Sequence, residues 1–164
     1  ICSTRIKTGH GMPTLQSVID CAASDREAAL IADGGIKTSG DVTKAIAAGA
    51  DFVMLGSMIA GTEETPVERV WSPEKAAWVY PYRGMASVEA QIDWRGHTSS
   101  IEGVASSVVA KGSVTTVIED ITKGLRSGMS YSGCRSVSEF QAKAKFVIQT
   151  GSSQVESSTH INRV

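Results

Sequence analysis

The chain has 164 residues, 41% hydrophobic and 20% charged, enough for one ordinary domain with a buried core. A formal net charge of −1 with no basic run argues against a nucleic-acid partner, and no apolar stretch is long enough to cross a membrane. Three widely spaced cysteines with no CxxC or Cys/His cluster argue against a disulfide framework or a metal-binding finger, and suit reduced thiols in a cytoplasmic protein.

Residues 1–13 are rich in Gly, Thr and small polar residues and read as a loop. Within it Cys2 stands beside Thr4 and Arg5, and cationic surroundings lower a thiol's pKa from ~8.5. A lone cysteine is nonetheless more often a small buried hydrophobe. Thr14 is placed to cap a helix with Leu15, Val18, Ile19 and Ala22 on one face; Cys21 on that helix and Cys134 further on are expected to pack. The run 29–32 stops at Asp33-Gly34-Gly35. A short helix follows, with Val42, Ala45 and Ile46 at helical spacing and Gly49 suited to its end. The next run, 52–55, stops at Gly56-Ser57. Such runs suit parallel strands covered on both faces. Glycine turns just past two strand ends read either as packing turns or as a phosphate site of the kind β/α barrels hold. Asp33, at a strand's carboxyl end, is placed to accept ribose hydroxyls.

Residues 63–112 show no sustained period and read as a long irregular, flap-like insertion after the last strand. Val114, Val117, Ile118, Ile121 and Leu125 predict an amphipathic helix ending near Gly128. Ser136 with Glu139 forms a capping-box pattern opening a helix around Phe140. The Ser-rich tail, 151–164, reads as disordered on composition alone. His10, His97 and His160 lie in loops or tail and read as solvated.

With two parallel-strand signals where a closed (β/α)8 barrel takes about 250 residues, the chain is read as α/β, the C-terminal part of a TIM barrel carrying its last two βα units. Residues 1–164 form one partial catalytic domain. By itself such a fragment is expected to be inactive and to leave an apolar sheet edge exposed.

The segments ICSTR, TGHGMPTLQSV, IADGGIKTSGDVTKAIAAGADFVMLGSMIAGTEET, YRGMAS, IEG, KGSV and GLRSGMSYSG, in that order, resemble the inosine-monophosphate dehydrogenase and guanosine-monophosphate reductase family over nearly the whole chain. The resemblance implies that Cys2 attacks purine C2, with Asp33 on the ribose and Gly35, Gly56, Ser57 and Tyr82 on the 5′-phosphate. Backbone groups of Gly84, Met85 and Ala86 would face the purine edge, and Glu102 would contact the base. Thr4 and Glu102 match the family's proton-relaying pair. Ser127 and Tyr131 match positions near a neighbouring subunit's dinucleotide. Cys2 with Glu156, Ser157 and Ser158 matches a monovalent-cation site, K⁺ in type, across a subunit boundary of a homotetramer.

Within the family, dehydrogenases oxidise IMP with NAD⁺ and then hydrolyse the adduct with water activated by an Arg-Tyr pair on a long flap. Reductases expel ammonia from GMP and take hydride from NADPH. The stretch from Val88 to Ile101 is short and has no Arg-Tyr, only Arg95 in Trp94-Arg95-Gly96. The resemblance therefore implies NADPH-dependent reduction of GMP to IMP, with dehydrogenase the alternative. TEET and the cation-type tail lean towards the dehydrogenase branch.

Overall fold

The computed structural model describes residues 2–25, 27–99 and 102–157. Two apolar runs form a parallel pair, β1 (Ile31–Asp33) and β2 (Phe52–Met54), with Ile31 opposite Phe52 and Asp33 opposite Met54. Between them runs α3 (Ser39–Ala47), the crossover that a parallel pair requires. Its start is a capping box: Thr38 Oγ1 accepts from Asp41 N–H at 3.1 Å while Asp41 accepts from Thr38 N–H at 2.9 Å. Past its end Gly49 takes φ 109°, and a Cβ there would stand 2.5 Å from Ala22 Cβ. Both the conformation and the close approach require glycine.

The strands alternate. Ala32 is buried with Val18, Ala45 and Ala50, and Val53 packs on the same cluster. Ile31, Phe52 and Met54 point the other way and are half exposed, at 51%, 60% and 51%. Within this chain α3 and α2 (Thr14–Ala22) cover one face of the pair, and the second covered face expected of such apolar runs is not supplied by the described residues. Thr14 does not cap α2, whose N-cap is Pro13; its hydroxyl lies instead near the Gly34–Gly35 turn. Cys21 is exposed rather than packed, whereas Cys134 is buried against Val42, Ile46 and Phe140.

The long helix α5 (Val114–Tyr131) runs through Gly128 rather than stopping there. Glycine in mid-helix costs roughly 1 kcal/mol against alanine, so two of them need a compensating contact. A Cβ on Gly124 would lie 2.5 Å from Ser39 Cβ, and one on Gly128 would collide with Thr43 Cγ2. The glycines let α5 settle closely on α3, with Ile121, Leu125 and Met129 reaching the core around Val42 and Ile46. The helix α6 (Val137–Lys143) closes that core with Phe140, and Ser136 caps it by accepting from Glu139 N–H at 3.1 Å.

Three further segments depart from the sequence reading. The first loop contains a short helix, α1 (Thr4–Thr8). The tail carries α7 (Gly151–Glu156), capped by Thr150, while residues 158–164 lie outside the described residues. The insertion 63–112 is not irregular. It holds an antiparallel sheet in the order β3 (Val70–Ser72), β4 (Ala77–Arg83), β5 (Ala105–Val109), with α4 (Val88–Arg95) between the last two strands. The hairpin turn carries Ala76 at φ 46°, a left-handed position usually marked by Gly or Asn. Pro81 interrupts β4, but beyond the reach of β3, whose pairing stops at Val79. Both features hid the strands.

Candidate active site

Three stretches remote in the chain meet side by side. Cys2 forms an antiparallel bridge with Gly103, and Ser3 N–H donates to Glu102 O at 2.6 Å. On the other side, Gly103 N–H donates to Ala86 O at 3.0 Å and Gly84 N–H to Val104 O at 3.2 Å. Segment 102–104 is thus the middle of a strip with the cysteine loop on one flank and Gly84–Met85–Ala86 on the other. A Cβ on Gly103 would stand 2.5 Å from Ser87 N and 2.6 Å from Ala86 C, so only glycine lets the flanks close.

Along this strip the side chains line up. Cys2 Sγ is 2.9 Å from Thr4 Oγ1, Thr4 N–H donates to Sγ at 3.4 Å, and the Thr4 hydroxyl donates to Glu102 Oε2. That hydroxyl has one proton and two neighbours. Thiol with carboxylate and thiolate with carboxylic acid therefore differ only by moving two protons along the Sγ–Oγ1–Oε2 line. The Thr4 hydroxyl first, then its N–H, holds the Cys2 thiol below its ordinary range, against desolvation and the negative charge of Glu102. Cys2 is exposed, so its sulfur is open to an electrophile from solution.

The other end of the site is built by the parallel pair. Because Asp33 and Met54 are in register, the turns after β1 and β2 emerge together. Gly34 and Gly35 take φ 98° and 76°, a bend closed to most side chains. Tyr82 reaches from β4 to Gly56, where a Cβ would stand 2.5 Å from the phenolic oxygen. Two residues on from Tyr82 and just past the end of β4, Gly84 opens the loop that flanks segment 102–104. One strand thus ties the glycine turns to the cysteine strip.

Two residues of this region were missed by sequence reasoning. Lys111 Nζ donates to Ser57 O at 2.7 Å and Met58 O at 3.4 Å, clamping the second glycine turn from the far end of the insertion. Glu64 accepts from Ser113 Oγ and from Val114 N–H, both at 2.8 Å. The Val114 N–H, then the Ser113 hydroxyl, holds its carboxyl below the ordinary range, at the start of α5 where a negative charge is favoured. KGSV and TEET contain both residues, but nothing local signals partners about fifty residues away.

Other expected positions stand apart. Ser127 and Tyr131 lie one turn apart on α5, both exposed, Tyr131 at 93%. Glu156 and Ser157 lie at the end of α7, where Ser157 Oγ donates to Ser153 O at 2.8 Å and accepts from Gln149 Nε2 at 2.9 Å. Ser158 falls outside the described residues. Among those residues no group of three His, Cys, Asp or Glu gathers as for a metal, and no helix is long and apolar enough to cross a membrane.

The family model described as IMP dehydrogenase / GMP reductase domain matches residues 1–160. The chain belongs to that family. It is 42% identical to a GMP reductase of Leishmania major, covering 98% of this chain and 35% of that protein. It is 43% identical to an inosine-5′-monophosphate dehydrogenase of Aquifex aeolicus, covering 98% and 34%. A cysteine-to-alanine variant of GMP reductase from Trypanosoma brucei, in complex with guanosine 5′-monophosphate, superposes with a TM-score of 0.92 at 43% identity, covering 99% of this chain and 35% of that one. The chain therefore has the α/β fold of that reductase and spans about a third of the length of its relatives. Family members are purine-nucleotide oxidoreductases by name, which sets a first expectation for the glycine turns. Gly56→Val, by displacing Tyr82, should raise the apparent KM for a nucleoside monophosphate about tenfold or more, read from initial rates of the full-length protein. An unchanged KM would show that Gly56 takes no part in nucleotide binding.

Proposed function

We propose that this chain is the catalytic-cysteine and phosphate-binding part of a longer TIM-barrel enzyme that reduces GMP to IMP and ammonia. Support for the barrel comes from the sheet itself: two parallel strands with helices on one face and Ile31, Phe52 and Met54 bare on the other are what a barrel wall looks like without its remaining strands. In this reading Gly35, Gly56, Ser57 and Tyr82 receive the 5′-phosphate and Asp33 the ribose hydroxyls. Backbone groups of Gly84, Met85 and Ala86 then meet the purine edge. The Cys2 thiolate adds to purine C2. The exocyclic C2–N bond breaks, and the amine leaves as ammonia with a proton from Glu102 passed through Thr4. NADPH supplies the hydride that C2 then takes up. The C–S bond opens last, returning thiolate and releasing IMP.

The observation that carries reductase over dehydrogenase is the segment after β4. It is a two-turn helix, α4, with no Arg-Tyr pair to activate water. Its one arginine, Arg95, lies over its own neighbour Trp94, 4.4 Å from the ring centroid. Dehydrogenase relatives match the chain as well as reductases do, so the overall likeness does not separate the two reactions. The exposed pair Ser127 and Tyr131 has the hydroxyls and ring to meet a dinucleotide across a subunit boundary. Cys2, Glu156, Ser157 and Ser158 would hold K⁺ there, in a cytoplasmic homotetramer.

The full-length protein given GMP and NADPH should oxidise NADPH and release ammonia one for one. Given IMP and NAD⁺ it should make little or no xanthosine monophosphate. Sustained xanthosine monophosphate production at a comparable rate would overturn the reductase reading and turn attention to Arg95.

A further inference from the structure

Gln91 is 3% exposed, although glutamine is mostly a surface residue. It sits on α4 and its carboxamide is used at both ends. Nε2 donates to Ala86 O at 3.1 Å, the same carbonyl that accepts from Gly103 N–H at 3.0 Å. Oε1 accepts from Ser99 N–H at 2.8 Å and from Ser99 Oγ at 3.1 Å. One buried side chain therefore joins the loop after β4 to Ser99, four residues beyond α4. Around it the helix start is also fixed from within: Ser87, 1% exposed, accepts from Ala90 N–H at 3.2 Å and donates its own N–H to Gly84 O at 3.0 Å. On the outside, Arg83 pairs with Asp93 at 2.6 Å.

We propose that Gln91 is a positioning residue for the purine base, holding the Gly84–Met85–Ala86 backbone in place beside Gly103 by donating to Ala86 O, the carbonyl that Gly103 N–H also uses, while Ser99 fixes the carboxamide. Its effect is on the base and not on the phosphate, because Ala86 O belongs to the strip that carries Cys2 and Glu102, whereas the glycine turns are clamped separately by Tyr82 and Lys111. Without the Gln91 carboxamide the Ala86 carbonyl keeps only its Gly103 donor and the loop loses its tie to α4, so the loop is freer to shift. The inference rests on the proposed nucleotide reading of this site, but it is read by binding and does not depend on which redox reaction follows.

The test compares the affinity of the full-length protein for GMP and for ribose 5-phosphate, which shares the phosphate and lacks the base. Gln91→Met keeps the size and removes both polar ends. It should weaken GMP about tenfold and leave ribose 5-phosphate within twofold. Gln91→Glu keeps an acceptor for Ser99 but points a carboxylate at Ala86 O, so it should weaken GMP at neutral pH. Burial pushes such a carboxyl up, and its protonation restores the donor. Relative to wild type at each pH, Gln91→Glu should therefore recover GMP affinity as the pH falls towards 5, whereas Gln91→Met should not. Equal weakening of both ligands by either variant, unchanged GMP affinity, or no acid recovery would overturn the proposal. If wild type binds GMP but fails to reduce it, the reductase reading falls while this comparison still decides the role of Gln91.

Discussion

Cys2→Ala in the full-length protein is expected to lower turnover of GMP by at least ~10⁴-fold while leaving GMP affinity within a few-fold. In the proposed reading the phosphate and ribose are held at the carboxyl ends of β1 and β2, which do not include Cys2. A 6-chloropurine nucleotide, whose C–Cl bond a thiolate displaces, should label Cys2. Exposure alone does not direct it there, since Cys21 is exposed as well and only Cys134 is buried. What singles out Cys2 is Thr4, whose hydroxyl and N–H favour the thiolate. Because the thiol is held low, the rising limb of labelling against pH should lie below that of a free thiol, and Thr4→Val should move it up. Mass spectrometry finding the label on Cys21 would reassign the nucleophile.

Glu102→Gln is expected to slow ammonia release about 10²–10⁴-fold, the usual worth of a positioned general acid. GMP binding should change much less, because the amide keeps the size and a hydrogen-bonding end. The substitution carries a second, opposite signature. Glu102's negative charge raises the thiol, so its removal should shift the labelling limb further down while catalysis falls. Rapid-quench measurement of ammonia alongside labelling against pH separates the two effects. Loss of both together would mean that Glu102 only holds the strip in place.

Much of the local structure was legible because its causes are local. The two apolar runs, the capping residues Thr38 and Ser136, and the glycine after α3 each act within a few residues. Such signals predicted β1, α3, β2, α5 and α6, while the order of the motifs predicted the family. They failed where a local rule was broken for a distant reason. Gly128 looked like a helix end because the Thr43 side chain that requires it lies on another helix. The insertion looked irregular because Ala76 occupies a glycine's conformation and Pro81 sits in a strand whose neighbour stops short.

The amino-acid sequence by itself determined β1, α2, α3, β2, α5 and α6, the two glycine turns and the purine-nucleotide family, since these depend on spacing along the chain. Only the tertiary structure decided that the Thr4 hydroxyl lies between Cys2 Sγ and Glu102, that Gly103 lets the strip close, that Lys111 holds the Ser57 carbonyl and that Gln91 holds the Ala86 carbonyl. It also decided that the parallel pair is covered on one face. These are pairings between segments brought together by packing, where each residue's partner is set by backbone geometry rather than by its neighbours in the chain. A serine, a lysine or a glutamine looks the same in sequence whether it faces solvent or closes a buried hydrogen bond.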